Sequence, residues 1–208
     1  PWGYQRKLLL IRGLLGTVAL FCIFKALTTL PIATATVIQY IYPTFTVICA
    51  SFILKEYIFK RIIFSVILGW LGIILVTQPE WNTNSNIIET NISIAIAIVG
   101  ALMTSLAYIC VRKLSKKENP LVIIYYFPLV SIPLSLPFVV NDFILPNGAD
   151  WIWIFGIGLF TQIGQLCITE GLRLIPAGQA TSINYSQVIF SSVLGWVIFQ
   201  ETLTKEIY

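Results

Sequence analysis

Thr36, Gln39, Tyr40 and Pro43 recur at i, i+3, i+4 and i+7 within one apolar stretch, which places them on a single helical face. Hydrocarbon leaves a hydroxyl, an amide or a phenol unsatisfied, so within a membrane such a face turns toward protein or a wet cavity. Pro43 adds to this chemistry, because it brings no N–H and its ring pushes aside the carbonyl of Gln39. A freed carbonyl, an amide and a phenol near the middle of a span could hold a small polar solute. The competing use of the same groups is interhelical hydrogen bonding, worth about 0.6 to 2 kcal/mol per contact. The face recurs later as Thr181, Asn184 and Tyr185, with Val188 in the place of the proline.

A second stripe runs through Gly158, Gln162, Gln165 and Thr169 at i, i+4, i+7 and i+11. Two glutamines on one apolar helix must be paired or wetted if they are buried, so Gln162 and Gln165 join the candidate lining. Arg12 lies about a turn and a half inside the first apolar run. It either snorkels to headgroups or captures a carboxylate or phosphate, as ionisable residues within spans often do. Glu170 is the one acid within a run, open to proton coupling or to pairing with Arg173. Tyr108 and Thr104, four residues apart, are further lining candidates.

What the chain lacks narrows the chemistry. Histidine is absent, which removes the commonest metal ligand and the usual near-neutral base. Cys22, Cys49, Cys110 and Cys167 sit apart in apolar runs and read as packing residues. No metal, cofactor or enzymatic activity is expected. A seven-helix receptor or photoreceptor and an intramembrane enzyme are the rival classes. A retinal protein needs a mid-span lysine with an acidic counter-ion, and an enzyme needs clustered His, Asp or Cys; the spans offer neither.

These residues are carried by a chain of 208 residues, 57% hydrophobic and 11% charged, with a mean hydropathy of +0.87. Soluble domains carry about 25% charge, so an all-α, polytopic transmembrane bundle in a lipid bilayer is expected. The net charge of +4 does not imply nucleic acid, because what matters in such a chain is which loops hold it. A hydrocarbon core of about 30 Å takes about 20 helical residues. Seven runs meet that length: Lys7 to Thr28, Ile32 to Leu54, Arg61 to Thr77, Ile92 to Leu114, Leu121 to Val140, Trp151 to Leu172, and Ala177 to Phe199. The fifth carries Pro128, Pro133 and Pro137 and is expected to be kinked, and Gly69 with Gly72 in the third is expected to admit a close neighbour. Of the 13 basic residues all but Lys25 and Lys205 fall at alternate ends, and lysine and arginine mark the cytoplasmic side. The segment before the first span is therefore expected in the cytoplasm, in the plasma (inner) membrane.

Shifting the chain by 145 residues lays Gly13–Glu56 on Gly158–Glu201 without a gap, with 13 of 44 positions identical. Pro31/Pro176, Ala35/Ala180, Thr36/Thr181, Ile38/Ile183, Tyr40/Tyr185 and Glu56/Glu201 form its frame. Five crossings separate one copy from the next, so the copies run in opposite directions. Inverted repeats of this kind are characteristic of secondary transporters, in which two near-equivalent halves give inward-open and outward-open states.

The stretch Ala26-Leu-Thr-Thr-Leu-Pro-Ile-Ala-Thr-Ala-Thr-Val-Ile-Gln-Tyr-Ile-Tyr-Pro-Thr-Phe45, closing on Glu56, and its copy from Gly171 to Ser186, closing on Glu201, resemble the EamA-type drug/metabolite transporters. The resemblance covers nearly the whole chain and implies a ten-helix carrier of two inverted five-helix halves with both termini cytoplasmic. On that pattern the chain is a fragment holding helices three to nine, with residues 1–79 as the last three helices of one half and 80–208 as the first four of the other. It implies alternating-access export of small metabolites such as amino acids, and it admits a homodimer. The substrate would sit among Gln39, Tyr40, Thr36, Pro43, Asn184, Tyr185, Gln162, Gln165, Tyr108 and Arg12.

Overall fold

A computed structural model describes residues 3–77, 87–140 and 145–199. Glu80, Asp142, Glu201, Lys205 and Glu206, on which part of the charge and repeat readings falls, lie outside the described residues. Every regular element described is helical: α1 (Arg6–Thr29), α2 (Ile32–Gln39), α3 (Tyr42–Cys49) continued by a π-helical turn (Ala50–Leu54), α4 (Lys60–Thr77), α5 (Ile87–Leu114), α6 (Pro120–Val139), α7 (Asp150–Leu174), α8 (Ala177–Ile183) and α9 (Ser186–Phe199). Five stretches among them are long and apolar enough to cross a membrane: Arg6–Thr29, Thr34–Leu54, Thr90–Leu114, Pro120–Phe138 and Asp150–Leu174. The two remaining runs are helical as α4 and as the α8–α9 pair.

The 145-residue repeat is visible in backbone geometry. α1 stops at Leu30 (φ −116°, ψ 155°) and α7 at Ile175 (φ −124°, ψ 160°). Each precedes a proline, whose ring forces its neighbour out of helical space. Pro31 (φ −53°, ψ 136°) and Pro176 (φ −53°, ψ 145°) then start the next helix.

Both following spans are interrupted, at Tyr40–Ile41 and at Asn184–Tyr185. In the first span the break fits the proline at the start of α3. The second has no proline, so Pro43 is not what the two breaks share. There the turn tightens to i→i−3 bonds, from Asn184 N–H to Thr181 O (3.1 Å) and Tyr185 N–H to Ser182 O (3.3 Å). Hydroxyls of Thr181 and Ser182 bond back to the carbonyls of Ala177 and Gly178, a competition that bends helices. The three prolines of α6 lie in a helix that is continuous from Pro120 to Val139.

Hydrogen bonds between side chains and backbone at one end of the bundle fix helix direction. The Glu118 carboxylate, beyond α5, accepts from the N–H groups of Tyr4 and Gln5, which lead into α1. Arg112, at the end of α5, donates to the carbonyls of Leu172 and Arg173, which close α7. α1 thus starts where α7 finishes, and the two copies are antiparallel.

Three buried clusters fill the bundle. One joins Leu9, Leu114, Ile123 and Leu172 at this end, a central one joins Val37, Ile73 and Val188 with Tyr40, Tyr42 and Tyr185, and a third gathers Ala26, Leu30, Ile38 and Ala97. Large apolar side chains such as Trp153, Phe155, Phe160 and Phe138 stay exposed, a surface suited to lipid and not to water.

Candidate functional site

The two interrupted spans meet at their breaks. Tyr40 and Tyr185, one residue pair of the repeat, stack with ring centroids 6.1 Å apart at 27°. The Tyr185 phenol donates to the backbone carbonyl of Tyr40 at 3.2 Å. Asn184 donates from Nδ2 to the Tyr42 phenol at 2.8 Å, and Tyr42 in turn packs on the Tyr108 ring at 5.6 Å. Gly69 on α4 admits this cluster, because a Cβ there would overlap the ring of Tyr185. Gly72 faces open space, so only one of the two glycines read as a packing pair supports a close contact.

Beside the cluster lies a cavity of about 300 Å³ bounded by Thr36, Gln39, Tyr40, Tyr42, Thr104 and Tyr108, with Gln187 and the apolar Ile23, Ala26, Leu27, Ala35 and Ala97 completing it. A second space of about 190 Å³ shares Ile23, Gln39, Thr104 and Tyr108 with the first and adds Arg12, Phe127 and Gln165. An open groove of about 740 Å³ runs between the start of α4 and α8, past Lys60, Arg61, Gln179 and Ser182. It contains none of the residues selected from sequence.

Arg12 does not snorkel. It is only 5% exposed, its guanidinium lies 5.1 Å over the Phe127 ring, and Nη2 donates to Gln165 Oε1 at 3.2 Å. Its Nε and Nη1 atoms are buried without a hydrogen-bond partner. Glu170 and Arg173 form an ion pair at 3.7 Å with both side chains about half exposed, which accounts for the acid without a proton relay.

Sequence selection and structure coincide for Thr36, Gln39, Tyr40, Tyr108, Gln165 and Arg12, which bound the cavities. Asn184 and Tyr185 stand behind the wall and brace it. Pro43 is fully buried away from both cavities, since its ring starts α3 and packs inward. Gln162 is exposed: α7 meets its neighbours mainly through its last turns, so the outer part of that stripe is uncovered. Thr36 is partly engaged already, its hydroxyl donating to Ile32 O at 2.7 Å.

Sequence reasoning missed Tyr42 and Gln187. It also missed a largely buried ion pair at the end of the bundle that carries the α5–α6 connection. Arg112 Nε donates to Glu56 Oε1 at 2.8 Å, and Ala177 N–H, the first of α8, donates to Glu56 Oε2 at 2.8 Å. One carboxylate therefore caps α8 while its arginine partner satisfies the last carbonyls of α7. Lys55, in the left-handed region at φ 54°, turns the chain so that Glu56 can reach this corner. The available signal was the repeated glutamate that closes both copies.

The chain is 24% identical over 195 residues to the pseudopaline exporter CntI of Pseudomonas aeruginosa, covering 93% of this chain and 67% of that protein. It is 28% identical over 210 residues to solute carrier family 35 member G1 of Homo sapiens, covering 96% and 58%. It is 25% identical over 191 residues to the S-adenosylmethionine uptake transporter of Rickettsia prowazekii, covering 92% and 63%. The chain spans about two thirds or less of the length of these relatives. A solved crystal structure shares the fold with a TM-score of 0.81 at 17% identity, over 99% of this chain and 72% of that one. These relatives are named as transporters and not as enzymes. The pattern that defines the EamA-like transporter family matches residues 1–78 and 91–208, and the chain belongs to that family as a multi-pass membrane transporter of small molecules.

Proposed function

We propose that the protein is a secondary carrier that exports small polar or amphipathic metabolites, amino acids and related compounds among them, by alternating access. The observation that carries this reading is the meeting of two helix breaks, Tyr40–Ile41 and Asn184–Tyr185, beside a cavity with both polar and apolar walls. Interrupted spans at a repeat interface bring polar side chains to where a solute can use them. Gln39, Tyr40, Tyr108 and Gln165 make the first contacts with substrate, and Asn184 and Tyr185 hold the wall in place. Residues 1–79 belong to one inverted half and 80–208 to the other, and rocking of the halves about the Tyr40–Tyr185 contact exchanges the cavity between the two faces.

The export direction follows CntI, which is named an exporter, although the Rickettsia relative is named for uptake. Arg6, Lys7 and the Lys55–Arg61 segment support a cytoplasmic position for that end of the bundle in the plasma membrane. The test is metabolite profiling of medium and cytosol from cells that overexpress the full-length protein. Enrichment of polar metabolites outside, lost with Gln39→Ala, supports the reading; an unchanged profile sinks it.

A further inference from the structure

We propose that the cavity anchors a single carboxylate of its substrate on Arg12, so that the transported compounds are carboxylic acids carrying one negative charge at that end. This rests on the carrier reading and narrows its substrate class.

Guanidinium stays protonated in proteins, so Arg12 keeps its charge although it is 5% exposed. Ion pairs among the described residues join Arg112 to Glu56 and Arg173 to Glu170, and neither engages Arg12. Among the described residues its one hydrogen bond goes to a neutral amide, Gln165 Oε1, at 3.2 Å, and its ring partner is Phe127. Two nitrogens, Nε and Nη1, remain unmet. A buried charge without a counter-charge is strongly unfavourable, which a resting structural role does not explain. An anion arriving with the substrate does.

The same wall says which anion. A guanidinium takes two oxygens of a carboxylate or a phosphate side by side. Among the described residues Arg12 is the one cationic residue on either cavity, and its companions Gln39, Thr104, Tyr108 and Gln165 are neutral. One positive charge balances one carboxylate, whereas a phosphate monoester would leave net negative charge inside the membrane. The adjoining space of about 300 Å³, with Ala26, Leu27 and Ala35 on its apolar side, takes the rest of the molecule. Arg12 is on α1 and Gln165 on the oppositely directed copy α7, so an anion that competes for Nη2 also loosens a contact between the halves.

The test uses the full-length protein in lipid nanodiscs, unfolded thermally and followed by tryptophan fluorescence. The probes are matched acid and amide pairs, L-leucine with L-leucinamide and benzoate with benzamide, together with inorganic phosphate. At concentrations well above Kd, acids are expected to raise the apparent Tm by about 2 to 4 °C. Amides and phosphate are expected to leave it unchanged. Arg12→Gln abolishes the shift and Arg12→Lys keeps part of it. Without ligand, Arg12→Gln unfolds at or above the wild-type temperature, because an unmet charge has gone; a loss of stability there would mark Arg12 as a structural residue and overturn the proposal. Equal shifts from acids and amides, no shift from any probe, or stronger stabilisation by phosphate would each overturn it as well. In export assays, wild type and Arg12→Gln moving uncharged metabolites equally well removes the anchor and leaves the carrier reading standing. Wild-type protein that moves nothing removes both.

Discussion

The phenol of Tyr185 donates a 3.2 Å hydrogen bond to the backbone carbonyl of Tyr40. The two tyrosines occupy the same place in two copies of one motif, 145 residues apart. Each sits at the break of its own span, so the bond ties break to break. A carbonyl at a helix interruption is short of helical partners, and the opposing copy supplies one.

Tyr185→Phe removes that donor and keeps the stacked ring. The expected loss is about 0.6 to 1 kcal/mol, the usual worth of a hydrogen bond between membrane helices, read as a fall of a few degrees or less in apparent Tm. Tyr185→Ala also removes the ring contacts with Tyr40 and Gly69, and its fall should be several-fold larger. Equal effects of the two substitutions would assign the contact to the hydroxyl alone.

Glu56→Gln leaves Arg112 buried without its charge partner. Breaking a buried pair from one side costs about 3 to 5 kcal/mol, so the variant should unfold well below wild type or express poorly. Glu56→Gln combined with Arg112→Gln should recover part of the loss, because neither charge is then stranded. A double variant no better than the single one would show that capping of α8, and not charge pairing, is what Glu56 contributes.

Gly69→Ala pushes a methyl group into the Tyr185 ring and should lower stability by about 1 to 3 kcal/mol. Gly72→Ala, three residues along the same helix and facing open space, should be neutral or stabilising by about 0.5 to 1 kcal/mol through helix propensity. Thermal unfolding of the pair distinguishes a specific contact from a general need for small residues.

Gln39→Ala and Gln162→Ala separate lining from bystander. Gln39 bounds both cavities, whereas Gln162 is exposed. Export should fall for the first with little change in Tm and stay at the wild-type level for the second. Loss of transport with Gln162→Ala would extend the site along α7.

Local pattern was enough for much of this protein. Apolar run length marked the helices, the prolines at 31 and 176 marked paired corners, and the 145-residue shift with an odd number of crossings established that the copies oppose one another. These features depend on neighbours a few residues apart or on a count of crossings, and a sequence carries both. The second break shows where local reading stops, since Val188 gave no sign of it and the hydroxyls of Thr181 and Ser182 supply the cause. Pairings across the bundle lay further out of reach. Arg12 meets Gln165 across 153 positions, Ala177 meets Glu56 across 121, and Arg112 meets Leu172 across 60. Helical periodicity says which way a side chain leaves its own axis, but which helix stands opposite, and at what height, follows from packing the whole bundle. Tertiary structure therefore decided that Arg12 is buried beside a cavity and not at the headgroups, that Gln165 faces inward while Gln162 does not, and that a glutamate read only as a repeat marker clamps a helix corner.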